Sequence, residues 1–452
     1  MSRIERDSLG EVEVPQEALY GAQTQRAINN FAIANRSMPK AFIEALIHIK
    51  MAAAAANKSL ATLEDTIADA IIDACQHLLA DDYMQHFPVD VFQTGSGTST
   101  NMNANEVIAR LASQRSGEVV NANDHVNYGQ SSNDVIPTAI HVAAVMQTEQ
   151  ALLPALEHAS TVISDKARDL AGVVKTGRTH LMDAMPVQFS QSLTTWQHQL
   201  DDNRQQLTQQ LARIRQLPMG GTAVGTGVNT HKEFAKTFNQ KLNQQLGTEF
   251  SPSPHLFTYI ASQDAAVALS GSLKTIAVSQ MKIANDLRWM NSGPLAGLGE
   301  IELQALQPGS SIMPGKVNPV IPEAAAMVSA QVMGNDVTIA IAGQSGNFEL
   351  NVMLPVIADN LLASIALLGN SLTALADDAI AGFSVRHEMV QAPLAKNPIL
   401  VTALNPIIGY AKAADIAKQA YKEGRPVIDV ALEQTDMKKD ELERLLNPAT
   451  LT

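Results

Sequence analysis

The run Ser310-Ser311-Ile312-Met313-Pro314-Gly315-Lys316-Val317-Asn318-Pro319 gathers two hydroxyls, an ammonium and a carboxamide into one short segment. Glycines and prolines shape the backbone there, so the segment reads as a built loop and not as an ordinary helix. This set of side chains suits an anionic substrate with a reacting carbon–hydrogen bond. Three further polar runs stand out: Thr94-Gly95-Ser96-Gly97-Thr98-Ser99-Thr100-Asn101 with Asn103 and Asn105 behind it, Gln130-Ser131-Ser132-Asn133-Asp134, and Gly177-Arg178-Thr179-His180. Taken singly, each is an ordinary helix cap, because Ser, Thr, Asn and Asp start helices. Taken together they suggest more. The N–H groups at a helix N-terminus point outward at the positive end of the dipole, and several such ends can hold a dicarboxylate. His180, flanked by Arg178 and Thr179, belongs to a polar site on this reading. Glu323 is the carboxylate placed to orient a histidine and raise its basicity; on composition alone it is equally a solvated first-turn glutamate.

Bulk composition narrows the function classes. The chain has 452 residues, 46% of them hydrophobic, and a net charge of −13. That acidic balance disfavours a general nucleic-acid or anionic-membrane binder, while a few local cations still suffice for an acidic substrate. The single cysteine, Cys75, excludes an intrachain disulfide and a cysteine-built zinc site, and fits a reducing cytoplasm. The charged N-terminus lacks the apolar core of a signal peptide, and the apolar run from Met51 to Ala56 is too short to span a bilayer. The stretch from Gly309 to Lys316 fails as a P-loop, because Gly315 comes one residue late and Val317 stands where Ser or Thr is required. Neither Gly95-Ser96-Gly97 nor Gly225-Thr226-Gly227 continues to a third glycine, and no His-Glu-x-x-His occurs. No metal and no nucleotide cofactor is expected.

Residues so scattered need a scaffold, and the remaining sequence predicts helices. Leu152, Leu156, Ile163 and Leu170 share a face with Ala159 and Ala167. Leu193, Trp196, Leu200, Leu207, Leu211 and Ile214 repeat the pattern, as do Leu269, Leu273, Ile276, Ile283, Leu287 and Met290 in nearly heptad spacing. Proline is absent between Pro186 and Pro218, Pro254 and Pro294, and Pro322 and Pro355. Helices of roughly 30 residues, about 45 Å long, are therefore expected to pack as a bundle. Residues 265–269 and 337–342 are apolar on more than one face, which predicts an oligomer. Prolines return at Pro393, Pro398, Pro406 and Pro426, while Pro39, Pro88, Gly95 and Gly97 break the early chain. Three regions follow: a mostly helical 1–133, an all-helical 134–385 and a small helical 386–452. Between Ser8 and Pro15, Val12 and Val14 alternate with acids as in a short strand.

The loop from Gly309 to Pro319 resembles the signature loop of the fumarase/aspartase superfamily. Residues 94–107, 121–136, 177–184, 220–229 and 346–352 also resemble family blocks, in the family's order. The resemblance covers essentially the whole chain, with class II fumarases the nearest group. It implies an all-α fold of three helical domains with a long central five-helix bundle, assembling into a homotetramer with a twenty-helix core. It further implies active sites shared by three subunits and no metal or organic cofactor. The implied reaction is the reversible hydration of fumarate to L-malate through an aci-carboxylate, a lyase step of the tricarboxylic acid cycle. By the family pattern Ser310 is the base. A serine is a poor base unless its alkoxide is stabilised, so loop N–H groups and Lys316 would have to do that. Ser311 remains a competitor for the role. Lys316 and Asn318 match the binders of the carboxylate that accumulates charge. His180, paired with Glu323, matches the group that positions and protonates the departing water. Ser96, Gly97, Thr98, Ser131, Ser132, Asn133, Thr179, Ser311 and Val317 match substrate-binding positions.

Some positions depart from the pattern. The family's secondary dicarboxylate site usually begins with histidine, where this chain reads Asn121-Ala122-Asn123-Asp124. Val320-Ile321-Pro322-Glu323 also resembles aspartases, so an aspartate ammonia-lyase is the alternative activity. Ser131-Ser132-Asn133, where aspartases read Ser-Thr-Asn, and Gly220-Gly221-Thr222 lean towards fumarase. Met182 replaces a glutamine common in the family, a change without a physical account. A non-catalytic crystallin-like role is disfavoured by the joint retention of Ser310, Lys316, Asn318, His180 and Glu323.

Overall fold

The computed structural model describes residues 2–452. The chain opens with an antiparallel hairpin of β1 (Ser2–Asp7) and β2 (Gly10–Pro15), in register from Ser2↔Pro15 to Asp7↔Gly10. The expected strand thus begins at Gly10, and Val14 is its buried residue. Helices α1 (Ala22–Asn30), α2 (Lys40–Ser59), α3 (Asp65–Ala80), α4 (Thr98–Ser116), α5 (Ser132–Gln147) and α6 (Leu153–Asp169) follow. A second hairpin, β3 (Val174–Thr179) and β4 (Met182–Gln188), precedes α7 (Phe189–Ile214). Then come α8 (Phe234–Leu246), α9 (Thr258–Ala261), α10 (Asp264–Met290), α11 (Val320–Gln344) and α12 (Leu354–Leu375). Five shorter helices end the chain: α13 (His387–Lys396), α14 (Asn405–Ile408), α15 (Tyr410–Glu423), α16 (Val427–Gln434) and α17 (Lys439–Leu445). Strands occur only as short pairs among the described residues, so the fold is all-α.

The proline-free stretches became the long helices. Helices α7, α10, α11 and α12 have 26, 27, 25 and 22 residues, a little short of the expected rods. Their sequence-derived stripes are the buried faces, with Leu193 through Ile214 in α7 and Leu269 through Met290 in α10 each under a tenth exposed at the positions named above. The central region is not all helix, however, because β3 and β4 interrupt it. Branched Val174, Thr176, Thr179 and Val187 favour extended backbone there. The register shifts between Thr176 and Arg178, and Gly177 sits at that bulge. A Cβ at Gly177 would lie 2.5 Å from the Met185 carbonyl oxygen.

Two compact units describe the chain: residues 1–154, 205–277 and 330–369 form one, and residues 155–204, 278–329 and 370–452 the other. In the first, α2 packs against α3, α5 and α8. Its Ala45, Ala52, Ala53 and Ala56 are fully buried, and such small side chains let neighbouring helices approach closely. The second unit carries β3 and β4, the 309–319 loop and the last five helices. The Pro398–Leu404 turn and helices α15, α16 and α17 enclose an apolar cluster of their own, built on Leu400, Leu404, Ile416, Val430 and Leu442.

Helices α11 and α12 are long and apolar enough to cross a membrane by length and composition alone. One face of each is nevertheless packed: Ala325, Val332 and Ile339 in α11, and Ile357, Leu361, Ile365 and Leu372 in α12, are buried. The other face of α11 stays open, with Met327 68% and Val337 58% exposed, and Val278 and Trp289 of α10 are open too.

Candidate active site

In the first unit, the 94–101 run turns into α4. Gly97 adopts φ +72° as its N-cap, and a Cβ there would come within 2.8 Å of Ile136. At Gly95 a Cβ would overlap the Val352 carbonyl oxygen, so no side chain fits. The close backbone delivers a file of hydroxyls: Ser96 Oγ lies 2.8 Å from Thr98 Oγ1, which lies 2.6 Å from Ser132 Oγ. Ser132 opens α5, whose N-terminus is a capping box. Ser131 Oγ accepts the Asn133 N–H, and Asp134 Oδ1 accepts the Ser131 N–H at 2.9 Å. Asn133 donates its amide to the Ala223 carbonyl at 2.9 Å.

Asp134 does more than cap. Its Oδ2 accepts the N–H groups of Gly220 and Thr222 at 3.0 and 2.9 Å, so one fully buried carboxylate ties the Ser131–Asn133 turn to the 220–229 loop. Burial pushes its pKa up, and the N–H groups of Ser131, Thr222 and Gly220 oppose the shift. Removing the acceptor would strand two buried donors, at roughly 1–3 kcal/mol each, and a third that is partly buried.

In the second unit, Thr179 and Met182 pair across a two-residue turn formed by His180 and Leu181, with φ +55° and +60°. Positive φ at both central residues is type I′ geometry, for which Asn-Gly is the favoured pair. A histidine and a leucine there cost about 1–2 kcal/mol each, and backbone strain of this kind collects at functional sites. It projects His180 from the hairpin tip, exposed. The base of β3 is anchored by Glu300, 2% exposed, which takes Lys175 Nζ at 2.5 Å and Arg178 Nη1 at 2.8 Å. Burial lowers the Lys175 pKa, and Glu300 opposes that.

The 309–319 loop is held by its own polar groups. The Gly309 N–H donates to the Lys316 carbonyl at 2.8 Å, and the Asn318 amide donates to the Gly309 carbonyl at 2.8 Å. Asn318 is therefore partly committed as a clasp. A Cβ at Gly309 would fall 2.5 Å from the Lys316 oxygen, which explains the glycine. Ser310 Oγ accepts two backbone N–H groups, from Ile312 at 3.3 Å and Met313 at 3.1 Å. Ser311 is exposed, and among the described residues its hydroxyl has no hydrogen-bond partner. Ser310, Lys316 and Val317 line one hollow of about 470 Å³, and the Lys316 ammonium there has no ion-pair partner among the described residues.

Other expected juxtapositions do not form within this chain. Among the described residues, His180 and Glu323 make no hydrogen bond or ion pair with each other. Glu323 instead borders a hollow of about 460 Å³ with Asn285, Arg288 and Ser292. At the candidate secondary site, Asn121 Oδ1 accepts the N–H groups of Asn123 and Asp124 at 2.9 and 3.0 Å. Two N–H donors of this turn are thus already bonded, and the hollow beside them is lined by both charges, Arg6 and Arg110 with Glu5, Asp7 and Glu106. Among the described residues, no three His, Cys, Asp or Glu side chains gather to hold a metal ion. Sequence reasoning passed over the Glu300 anchor, for which one sequence offers no signal, and saw Asp134 only as a cap.

The family described as Lyase matches residues 10–334, and the one described as Fumarase C C-terminus matches residues 400–452. Fumarate hydratase class II 2 of Pseudomonas aeruginosa is 63% identical over 451 residues, covering 100% of this chain and 98% of that protein. Fumarate hydratase class II of Xylella fastidiosa is 57% identical over 450 residues, covering 100% of this chain and 95% of its own. Among solved structures, class II fumarase from Schistosoma mansoni superposes with a TM-score of 0.97 at 38% identity, covering 100% of this chain and 99% of that one.

Proposed function

We propose that this chain, which belongs to the lyase family and within it to the class II fumarate hydratases, catalyses the reversible hydration of fumarate to L-malate. It is a carbon–oxygen hydro-lyase. The observation that carries the assignment is the 309–319 loop, where a serine oxygen facing two N–H groups shares a hollow with an unpaired ammonium. Starting from L-malate, the Ser310 alkoxide takes the proton from the carbon next to a carboxylate. Ile312 N–H, Met313 N–H and Lys316 make that alkoxide attainable. The aci-carboxylate that forms is held by Lys316 and Asn318. Protonated His180 then gives its proton to the departing hydroxyl, so water and fumarate leave. The bare, exposed hydroxyl of Ser311 supports Ser310 as the base and Ser311 as a binder.

Thr98, Ser132 and Asn133 hold the substrate carboxylates, and Ser96, Gly97, Ser131, Thr179 and Val317 are further substrate contacts. The enzyme works as a homotetramer in the cytoplasm, with each site drawing on three subunits, organised along the chain as regions 1–133, 134–385 and 386–452. The open apolar face of α11 supports the assembly. Glu323, left without His180 inside its own chain, meets a neighbour's histidine in this arrangement.

Incubation with fumarate, with and without ammonium, tests the activity. Malate formed without ammonium is expected. Aspartate formed only when ammonium is present would replace the hydratase with an aspartate ammonia-lyase. Light scattering at the mass of four 48.4 kDa chains tests the assembly.

A further inference from the structure

Lys50 takes no part in the chemistry above, yet it is placed with care. It lies in α2 with no exposed area, where an aliphatic side chain would pack at no electrostatic cost. Among the described residues no carboxylate reaches it within ion-pair distance. Its Nζ donates to Asn127 Oδ1 at 3.0 Å and to Gln130 Oε1 at 2.9 Å. The same Asn127 oxygen accepts the amides of Asn101 and Asn105 at 3.2 and 3.1 Å. Asn127 Nδ2 donates to the Gln130 carbonyl, and Gln130 Nε2 donates to the Val126 carbonyl.

The connections have a direction. Asn101 and Asn105 stand in the first two turns of α4, whose first residue is Thr98. Residues 126–130 run directly into Ser131, Ser132 and Asn133. The amine of α2 therefore fastens together the two backbones that must hold Thr98 Oγ1 and Ser132 Oγ at 2.6 Å. Burial pulls the Lys50 pKa down to about 7, opposed by Asp134 and Cys75. Charged or neutral, the amine still has enough N–H bonds for both amide oxygens.

We infer that Lys50 is a positioning residue of the substrate site, acting through Asn127 and Gln130 to set the spacing between the Thr98 end of α4 and the Ser131–Asn133 turn. This rests on Thr98, Ser132 and Asn133 being substrate contacts. A misplaced binding wall weakens ground-state and transition-state contacts alike, so the expected signature is in KM.

The test measures kcat and KM for fumarate in the full-length assembled protein, together with the thermal midpoint, for Lys50→Met, Asn127→Leu and their double variant, with Thr98→Ala as reference. Lys50→Met is expected to raise KM about tenfold with kcat within about threefold of the parent. Asn127→Leu should act alike, and the double variant should be no worse than about the larger single effect, because both break one network. A purely structural lysine would lower the midpoint and the active fraction without moving KM. If Thr98→Ala raises KM but neither network variant does, Lys50 is not a positioning residue. If Thr98→Ala itself leaves KM unchanged, the reading of the site fails instead. Should Lys50→Met not fold, Asn127→Leu decides alone, since it keeps the amine.

Discussion

The Thr98–Asn133 wall and the Ser310–Asn318 loop carry similar polar residues but are built in opposite ways. The wall is tied down from behind. Asp134 clamps two neighbouring segments through three N–H groups, and Lys50 with Asn127 joins two helices beneath the hydroxyls. Among the described residues the loop is held mainly by its own groups, through Gly309, Lys316 and Asn318, and it leaves Ile312 83% exposed. A binding surface gains from rigidity, because its geometry is settled before substrate arrives. A base that must reach a carbon and exclude water gains from a segment with little packing to undo. The His180 hairpin combines both designs, with a strained, exposed tip over a root fixed by Glu300.

Four changes test this contrast, in descending order of effect. Ser310→Ala is expected to cut turnover by about a thousandfold while the thermal midpoint and the oligomer stay unchanged, since the Ser310 hydroxyl bonds N–H groups within its own exposed loop. Near-normal turnover would remove Ser310 as the base. Asp134→Asn should instead act on stability, by about 3 kcal/mol in urea denaturation, through lost acceptor strength at buried N–H groups. If it costs activity but no stability, the wall is not braced as described.

The third change is pH. Burial holds His48 and His141, both in the first unit, down at about 4. Between that value and the ordinary 6.5 the unfolded chain binds protons that the folded chain refuses. Stability should therefore fall as pH drops from 6.5 towards 4, by up to about 3 kcal/mol per histidine, and stay flat above 6.5 on their account. Urea titrations at pH 7 and 5 measure this, and His141→Gln should remove roughly half of the slope. The smallest effect is Leu181→Gly, expected to stabilise by about 1 kcal/mol by relieving positive φ. A destabilised Leu181→Gly would show that the leucine side chain, not backbone strain, governs the tip.

Much was legible in the chain because helices advertise themselves locally. The stripes of α7 and α10 were readable at 3.6-residue spacing, and their buried positions coincide with it. The short β3 and β4 hairpin was not, since Gly177 is required by the Met185 carbonyl across the bulge, a neighbour that the sequence does not reveal. The clusters around Thr98, Ser131, His180 and Ser310 were visible as residue types, and their reading as sites drew on the family resemblance as well.

The sequence by itself determined the helical class, the faces that go inward and the chemistry available at each polar run. Those depend on side-chain type and on periodicity along one chain. Only the tertiary structure decided which hydroxyl faces two N–H groups, which carboxylate clamps the 220–229 loop and that Lys50 sits beneath the Thr98–Asn133 wall. It also decided that the Asn121 turn satisfies its own donors. Each of these depends on distances of about 3 Å between groups far apart in sequence, and hydrogen bonds fall off too steeply for spacing along a chain to predict them.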